Sequence, residues 1–456
     1  MSCGLTATLR DEVAGGLGRT DVSEEAGEIR GPPRARIGRI DGDHGSEGAR
    51  MGRTGTVAGI LGVLAAVGAR RPVLRRWPTS VAQMAACTPA SEMPVADALA
   101  HAALAAGGVA ELVRGPRSGR VAALATIGTN AAAAAALAGL RADARRSAVV
   151  LQEALAPLGV TGLDRPIPGA ARRVRDRARG AGRYVVAQDV AYGPEPEHRL
   201  DVWARRDLHL LRDGGPAPVL LQVHGGAWTL GSRTQEAQPL MAYLAARGWV
   251  CVTVDYRLAP AARWPAMIVD VKRALGWIRE HVADFGGDPG FVAVTGGSAG
   301  GHLAALTALT PNDPAYQPGF EEVDTSVQAA VPFYGVHDFT ADDQGLWNLL
   351  EGKVIGTSYA ADEATYRAAS PVHRAGPDAP PFLVVHGDTD TVAGVGQSRR
   401  LVARLRAVSR EPVCYAELPH AQHGFDGLPT ARTAYTVRAV HRFLTAVHTR
   451  TTAPTG

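Results

Sequence analysis

The sequence predicts an α/β fold in which a mostly parallel, helix-covered sheet follows an α-helical N-terminal extension. From about residue 184, fully apolar runs that suit buried strands alternate with stretches of helical periodicity. Glycine-rich and polar motifs follow several of these runs, at the strand ends where ligands bind in such folds. Before residue 184, long Ala-rich stretches with few charges replace the strand-like runs.

Composition is that of a globular protein with an ample core. The 456 residues are 46% hydrophobic and 20% charged, with a net charge of +4. Nearly all the positive charge is arginine, since Lys272 and Lys353 are the only lysines. This bias reflects composition more than a nucleic-acid surface, so no nucleic-acid partner is predicted. None of the four cysteines shows the C-x-x-C spacing of a zinc site, which favours reduced thiols.

The N-terminal part divides into two predicted segments. Residues 1–50 mix glycine, arginine and acidic residues without apolar periodicity, which predicts disorder. Residues 51–180 form an Ala-rich helical extension, which begins with an apolar run from Val57 to Ala69. We interpret this run as a packed helix. The alternative is a signal-peptide core with Met51 as the true start of the protein.

Two further helices are predicted at residues 98–113 and 121–140. The second is long enough to span a bilayer, but alanine contributes little transfer free energy and Asn130 lies in its middle. We therefore predict a cytoplasmic protein, with association with a membrane surface as the alternative. The arginine-rich segment at residues 172–183 predicts a solvated linker.

The third predicted domain, residues 181–450, carries the sheet. It opens with a predicted hairpin at 184–191 and 199–204. The other predicted strands are 218–223, 250–255, 291–295, 327–334, 381–386 and 413–418. The predicted helices are about 235–247, 266–284, 302–310, 395–408 and 430–447.

The most informative motif is Gly296-Gly297-Ser298-Ala299-Gly300, which lies between a predicted strand and a predicted helix. A serine at a strained strand-to-helix turn needs small neighbours two residues away on each side. Its hydroxyl then stands above a helix N-terminus, where unpaired N–H groups favour developing negative charge. The pattern alone also fits an ordinary turn, but not a P-loop, which requires a Lys-Ser/Thr pair.

A reactive serine needs a histidine base and a carboxylate that orients the base. Gly387-Asp388-Thr389-Asp390 follows the predicted strand at 381–386. His420 and His423 follow the predicted strand at 413–418. The chain order of serine, acid and histidine is that of α/β-hydrolases.

Five motifs together resemble the hormone-sensitive-lipase-like esterases, which have the α/β-hydrolase fold. These motifs are His224-Gly225-Gly226-Ala227-Trp228, Asp255-Tyr256-Arg257-Leu258-Ala259-Pro260, Gly296 to Gly301, His386-Gly387-x-x-Asp390 and His423-Gly424-Phe425. Gly286-Gly287-Asp288-Pro289 and Ala421-Gln422-His423 resemble more closely an actinobacterial carboxylesterase/lipase branch whose members carry an Ala-rich N-terminal extension. The resemblance implies that Ser298 is the nucleophile, Asp390 the orienting acid and His423 the general base.

The same resemblance implies an oxyanion hole formed by the N–H groups of Gly226, Ala227 and Ala299. Ala227 departs from the family's HGGG pattern, and its methyl group is expected to narrow the pocket. Trp228 and Phe425 are predicted to bind the substrate, with core packing as the alternative.

Several assignments have competitors in the sequence. Asp388 and Asp338 are alternatives for the acid, and His420 is the alternative for the base. His224 and His386 are predicted to hold their loops through local hydrogen bonds.

A metal site is the alternative use of the two loops that carry the acid and the base. It would combine Asp388, Asp390, His420 and His423, but no H-E-x-x-H or similar spacing supports it. We predict neither a metal nor an organic cofactor.

The predicted function is a serine carboxylesterase or lipase that hydrolyses a small-molecule or lipid ester through an acyl-enzyme on Ser298. An amidase or arylformamidase using the same triad is the enzymatic alternative, and a binding module with an inactive site is the third interpretation. Residues of about 80–180 are predicted to cap Ser298 as a lid. Alternatively, they form a helical layer or a membrane-surface platform. No oligomeric state is predicted.

Overall fold

An eight-stranded sheet organises the chain. The computed structural model describes residues 44–208 and 215–452, with side chains from residue 53 onward. The strands are β1 (Val185–Ala191), β2 (Arg199–Trp203), β3 (Ala217–Val223), β4 (Val250–Val254), β5 (Gly287–Gly297), β6 (Ala329–Phe333), β7 (Phe382–Gly387) and β8 (Val413–Leu418). Their order in the sheet is β1-β2-β4-β3-β5-β6-β7-β8. β2 runs antiparallel to β1 and β4, whereas the remaining pairs are parallel.

The described helices fall into an N-terminal group and a group interleaved with the strands. The first group is α1 (His44–Arg70), α2 (Thr79–Glu92), α3 (Pro94–Arg114), α4 (Arg120–Ala154) and α5 (Ala170–Tyr184). The second group is α6 (Gln238–Ala245), α7 (Ala266–His281), α8 (Ala299–Leu309), α9 (Trp347–Leu349), α10 (Glu363–Ala368), α11 (Pro371–Arg374), α12 (Gly396–Val408) and α13 (Ala431–Thr452).

Helices cover both faces of the sheet, as the continuous apolar strands predicted. Every residue of β3, β4 and β6 is buried. Neighbouring side chains along a strand point to opposite faces. Leu221 accordingly lies in an apolar cluster with α7, α8 and α12, whereas Leu220 lies in a second cluster with α6 and α13. The prediction of a mostly parallel sheet, preceded by a helical extension, is confirmed.

The N-terminal helices serve two different parts of the structure. α1, α3 and residues 120–140 of α4 pack against one another and form what we call the N-terminal bundle. The rest of α4 packs against the second face of the sheet, together with α13. α3 and the segment Arg117–Ala154 are both long and apolar enough to cross a membrane.

The structure does not divide at residue 180. Leu151, Leu155 and Leu163 are fully buried in the same apolar cluster as strand residues of the sheet. Residues 45–456 form one compact unit. α4 therefore contributes directly to the core of the sheet, and the bounds of a separate catalytic domain stay a prediction.

Two further predictions change at the level of elements. The arginine-rich segment predicted as a linker is the helix α5, in which Arg173 donates a hydrogen bond to the carbonyl of Pro429. α1 begins at His44, seven residues before the predicted start of the extension. The predicted disorder of residues 1–43 lies outside the described residues.

Candidate active site

Ser298 lies at a sharp turn between β5 and α8. Its backbone has φ 58° and ψ −119°, a conformation that L-residues rarely adopt and that costs about 1–3 kcal/mol. The small neighbours are required by close backbone approach: a Cβ atom on Gly300 would lie 2.1 Å from the carbonyl oxygen of Val223. A Cβ atom on Gly296 would similarly lie 2.4 Å from the carbonyl oxygen of Gly300. The strand–turn–helix predicted from the motif is present.

Asp390 and His423 meet at the same edge of the sheet. The loop after β7 carries Asp390 and the loop after β8 carries His423, with 2.7 Å between Oδ2 of the acid and Nδ1 of the imidazole. The other carboxylate oxygen accepts hydrogen bonds from the N–H groups of Val392 at 2.8 Å and Ala393 at 2.9 Å. These bonds fix the carboxylate so that it orients the imidazole.

Asp390 and His423 each stabilise the charged form of the other. Burial by itself raises the pKa of Asp390, but the charge of His423 and hydrogen bonds from His386 and His423 hold that pKa well below its usual range. Burial lowers the pKa of His423, but Asp390 and other nearby carboxylates outweigh burial and raise that pKa above its usual 6.5. The imidazole is therefore a stronger base than an isolated histidine.

The glycine loop after β3 lies beside Ser298. A Cβ atom on Gly225 would lie 3.2 Å from Cβ of Ser298, so the glycine loop after β3 touches the nucleophile turn. In this loop Gly226 has φ 114° and Ala227 has φ 52°. The N–H of His302 donates the first hydrogen bond of α8, to the Ser298 carbonyl at 2.9 Å. The N–H of Ala299 precedes that bond, so it is not committed within the helix.

The competing acids have other partners. Asp388 accepts a hydrogen bond from the backbone N–H of His420 at 2.6 Å and thereby shapes the loop after β8. Asp338 pairs with Arg400, at 2.8 Å between Oδ2 and Nε. The imidazole of His420 lies 3.8 Å from Asp143 of α4 and therefore faces the helical extension.

His224 and His386 hold their loops, as predicted. Nδ1 of His224 is 2.7 Å from the carbonyl of Gly225, and its ring stacks on Tyr256. Nδ1 of His386 is 2.7 Å from the hydroxyl of Ser398. Within the described ranges, no group of three or more His, Cys, Asp or Glu side chains could hold a metal ion.

Trp228 and Phe425 are packed into the core. Trp228 is 1% exposed, and its indole N–H donates to His302 at 3.2 Å while its ring packs edge-on against Phe339. Phe425 is fully buried beside Phe333 and Tyr334. This burial favours core packing, the alternative interpretation of both residues, and their role in substrate binding stays a prediction.

Three residues that the motifs did not indicate surround His423. Glu236 accepts a hydrogen bond from the N–H of Gly225 at 2.7 Å, which ties its carboxylate to the glycine loop. The ring of Tyr334 lies 4.7 Å from the His423 ring, and its hydroxyl donates to Asp426. Both carboxylates raise the pKa of His423. Burial itself raises the pKa of Glu236 to about 7.

These side chains line a cavity of about 180 Å³ beside the turn that carries Ser298. Its wall also includes Gly297, next to Ser298, and the buried amide of Gln222. No sequence signal marks Glu236, since it follows the glycine loop by ten residues without a recognisable spacing. Glu236 and Asp426 line this cavity, and both carboxylates favour the protonated form of His423.

The extension reaches the loop that carries Asp390. The hydroxyl of Thr391 donates to the carbonyl of Ser80 in α2 at 3.0 Å. The N–H of Trp77, just before α2, donates to the carbonyl of Gln344 at 2.8 Å. These contacts support the rim of the site. The role of the extension as a lid over Ser298 stays a prediction.

Comparison with known proteins agrees with this arrangement. Residues 207–405 match the BD-FAE family model. The probable carboxylic ester hydrolase LipM of Mycobacterium tuberculosis is 52% identical over 265 residues, which are 57% of this chain and 61% of LipM. Esterase LipQ of the same organism is 47% identical over 277 residues, 59% of this chain and 65% of LipQ.

Among solved structures, the bifunctional GH43-CE protein of Bacteroides eggerthii is 25% identical, with a TM-score of 0.50. The match covers 57% of this chain and 35% of that one. The chain thus spans less than two thirds of the length of each of these three proteins. The α/β-hydrolase fold is thus accompanied by a match of residues 207–405 to the BD-FAE family model and by similarity to mycobacterial carboxylic ester hydrolases over more than half of the chain, in agreement with the predicted resemblance to hormone-sensitive-lipase-like enzymes.

Proposed function

We propose that this protein is a serine carboxylesterase or lipase that hydrolyses carboxylic esters through an acyl-enzyme on Ser298. The observation that carries the proposal is the Asp390–His423 pair, 2.7 Å apart, at the edge of the sheet where the strained turn presents Ser298. The printed names of LipM and LipQ, a carboxylic ester hydrolase and an esterase, support the same reaction class.

Acylation uses each of these groups once. His423 accepts the proton of the Ser298 hydroxyl as the oxygen attacks the ester carbonyl, and Asp390 stabilises the resulting imidazolium. The N–H groups of Gly226, Ala227 and Ala299 are proposed to bind the oxyanion. One such donor lowers the barrier by about 3 kcal/mol. The imidazolium then protonates the departing alcohol, and the acyl group remains on the serine.

Deacylation repeats the proton transfers with water as the nucleophile. His423 removes a proton from water, the hydroxide attacks the acyl-enzyme, and the serine oxygen leaves with that proton. Besides the ester and water, the proposed steps use only groups of this chain. The substrate is accordingly a small-molecule or lipid ester. The cytoplasmic location stays a prediction.

The test is hydrolysis of a series of p-nitrophenyl esters, from acetyl to palmitoyl, with N-formylkynurenine as the competing amide substrate. We expect measurable turnover of at least the short esters and a loss of about 10³-fold or more in Ser298→Ala. Ser118→Ala, in the exposed 3₁₀ turn between α3 and α4, is the matched control and should keep full activity. Faster turnover of N-formylkynurenine than of every ester would replace the proposal with an arylformamidase. No turnover of any substrate by folded protein would contradict it.

A further inference from the structure

Most buried positions of the N-terminal bundle carry small residues and most of its large apolar residues lie outside; Leu137 and Leu140, near one end of the bundle, are the fully buried leucines among its described residues. From residue 53 onward, the fully buried positions of α1 are all glycine or alanine: Gly55, Gly59, Gly62, Ala66 and Ala69. Val63 is half-buried, and five other large apolar side chains of α1 point away from the bundle and are 47–59% exposed: Val57, Ile60, Leu61, Leu64 and Val67. The contacts are close, since a Cβ atom on Gly59 would lie 2.4 Å from the hydroxyl of Thr129 in α4.

Polar side chains occupy the interior of the same bundle. Asn130, in the middle of the apolar part of α4, is fully buried. Its side-chain oxygen is 2.7 Å from Nδ1 of His101 in α3, and its amide donates to the carbonyl of Gly55 in α1 at 2.9 Å. One asparagine therefore connects all three helices. The asparagine that argued against a membrane span on sequence grounds has its hydrogen bonds satisfied by protein.

The outer faces of α3 and α4 continue the apolar surface of α1. Leu99 is 67% exposed, Val113 76% and Val121 80%. Only 11% of the apolar window in α3 and 28% of that in the α4 segment are buried. A soluble protein rarely leaves so large a contiguous apolar surface in water. Small residues and satisfied polar groups between helices, with large apolar residues outside, are typical of helices packed in lipid.

The length and the charged ends of the bundle match a bilayer. Residues 121–140 of α4 contain no charged side chain. These 20 residues extend about 30 Å, the thickness of the hydrocarbon core. Arginines cluster at both ends of this apolar section. One cluster contains Arg53, Arg114, Arg117 and Arg120, and the other contains Arg70, Arg71, Arg75, Arg76, Arg141, Arg145 and Arg146.

We propose that the N-terminal bundle is embedded in the hydrocarbon of a lipid bilayer, with the two arginine clusters at the level of the headgroups. Exposed apolar side chains lie on the outer faces of all three helices. A second copy of the chain would cover only one side of the bundle, so lipid explains this distribution better than a dimer does. Arginine at both ends also complements anionic headgroups, to which long basic side chains extend from a buried helix. The proposal does not depend on the activity of Ser298.

The test uses the full chain. Membranes from expressing cells are washed with alkaline carbonate and with 1 M salt, and purified protein is floated with vesicles of phosphatidylcholine and phosphatidylglycerol. We expect the wild type to resist both washes and to float with the vesicles. The triple variant Leu61→Glu, Leu99→Glu and Leu124→Glu should reduce the floated fraction by at least about tenfold, because each charge is costly in hydrocarbon.

The matched control is the double variant Val149→Glu and Val174→Glu. These two valines are 52% and 57% exposed, like the tested positions, but lie outside the bundle. Circular dichroism checks folding independently of activity, and the control should float like the wild type. If the triple variant fails to fold, the proposal is tested by the wild type alone: resistance to both washes supports it, and release by either wash contradicts it.

Three results would overturn the proposal. The first is a wild type that is monomeric without detergent and does not float. The second is a detergent-free dimer or larger assembly that does not float, since a second copy would then cover the apolar faces. The third is vesicle binding that salt releases completely, because that result means contact with headgroups alone.

Discussion

The N-terminal bundle and the sheet place their apolar residues in opposite ways. In the sheet, large side chains such as Leu221 and Val252 point inward and are fully buried. In the bundle, the interior contains mostly glycine, alanine and Asn130, with Leu137 and Leu140 buried near one end, while Leu61 and Leu99 point outward. Apolar composition alone therefore does not show whether a helix packs in a protein core or lies in lipid. What distinguishes the two regions is the face that carries the large side chains.

Buried polar groups also differ between the two regions. His101 and Asn130 bond to each other and to helix backbone, so they stabilise packing. Asp390 and His423 bond to each other at the ends of strands, beside a nucleophile that remains partly exposed. The same kinds of side chain thus serve packing in one region and chemistry in the other. The two pairs differ because only Asp390 and His423 lie at the edge of the sheet that carries Ser298.

The largest expected effect separates Asp390 from its neighbour. Asp390→Asn should lower kcat for a p-nitrophenyl ester by about 10⁴-fold, because the imidazole loses the carboxylate that orients it. Asp388→Asn, which alters only the bond to the His420 backbone, should keep kcat within about tenfold. Both variants should float with vesicles like the wild type. Equal losses in the two variants would contradict the assignment of Asp390 as the orienting acid.

A smaller effect tests the close packing of the bundle. Gly59→Ala should destabilise the protein by about 1–3 kcal/mol, since the added methyl group would overlap Thr129 and the Asn130 backbone. Gly128→Ala is the control, because no atom lies within 4 Å of its added Cβ. It should be neutral or stabilise by up to about 1 kcal/mol. Thermal unfolding in detergent, followed by circular dichroism, measures both. A more stable Gly59→Ala would show that the helices are further apart.

The smallest effect concerns the pH dependence. His423 must be neutral to act as a base and its pKa is raised, so kcat/KM should rise with pH with a midpoint above 6.5. The carboxylate of Glu236 contributes to that raised pKa. Glu236→Gln should therefore move the acidic limb to lower pH. It should cost less than about tenfold at alkaline pH, because the glutamine oxygen still accepts the Gly225 N–H.

Glu280→Gln removes a carboxylate far from the site and should leave the pH profile unchanged. An acidic limb that stays in place in Glu236→Gln would show that Glu236 does not act on the base.

Sequence patterns predicted the elements whose signal is local. The apolar strands and the glycine spacing around Ser298 each depend on neighbours in the chain. Asp390 and His423 follow consecutive strands of the sheet, so the fold class brings them to one edge. Their distance of 2.7 Å needed the structure.

The remaining features depend on contacts between distant segments. Glu236 reaches His423 from a loop nearly two hundred residues earlier in the chain, and no motif marks that contact. Trp228 lies in a motif, but the motif does not determine which way its ring turns. Leu151 joins the core of the sheet from a helix that resembles the rest of the extension. The spacing of small residues from Gly55 to Ala69 was readable, however, and could have indicated the packed face of α1.

The most direct measurement of the central claim is labelling of the purified full chain with a fluorophosphonate, followed by peptide mapping. The reagent forms a stable bond only with a serine whose hydroxyl is activated by a neighbouring base. We predict one adduct per chain, on Ser298, and no adduct in Ser298→Ala or after prior acidification that protonates His423. Labelling of another residue, or labelling that persists in Ser298→Ala, would contradict the account.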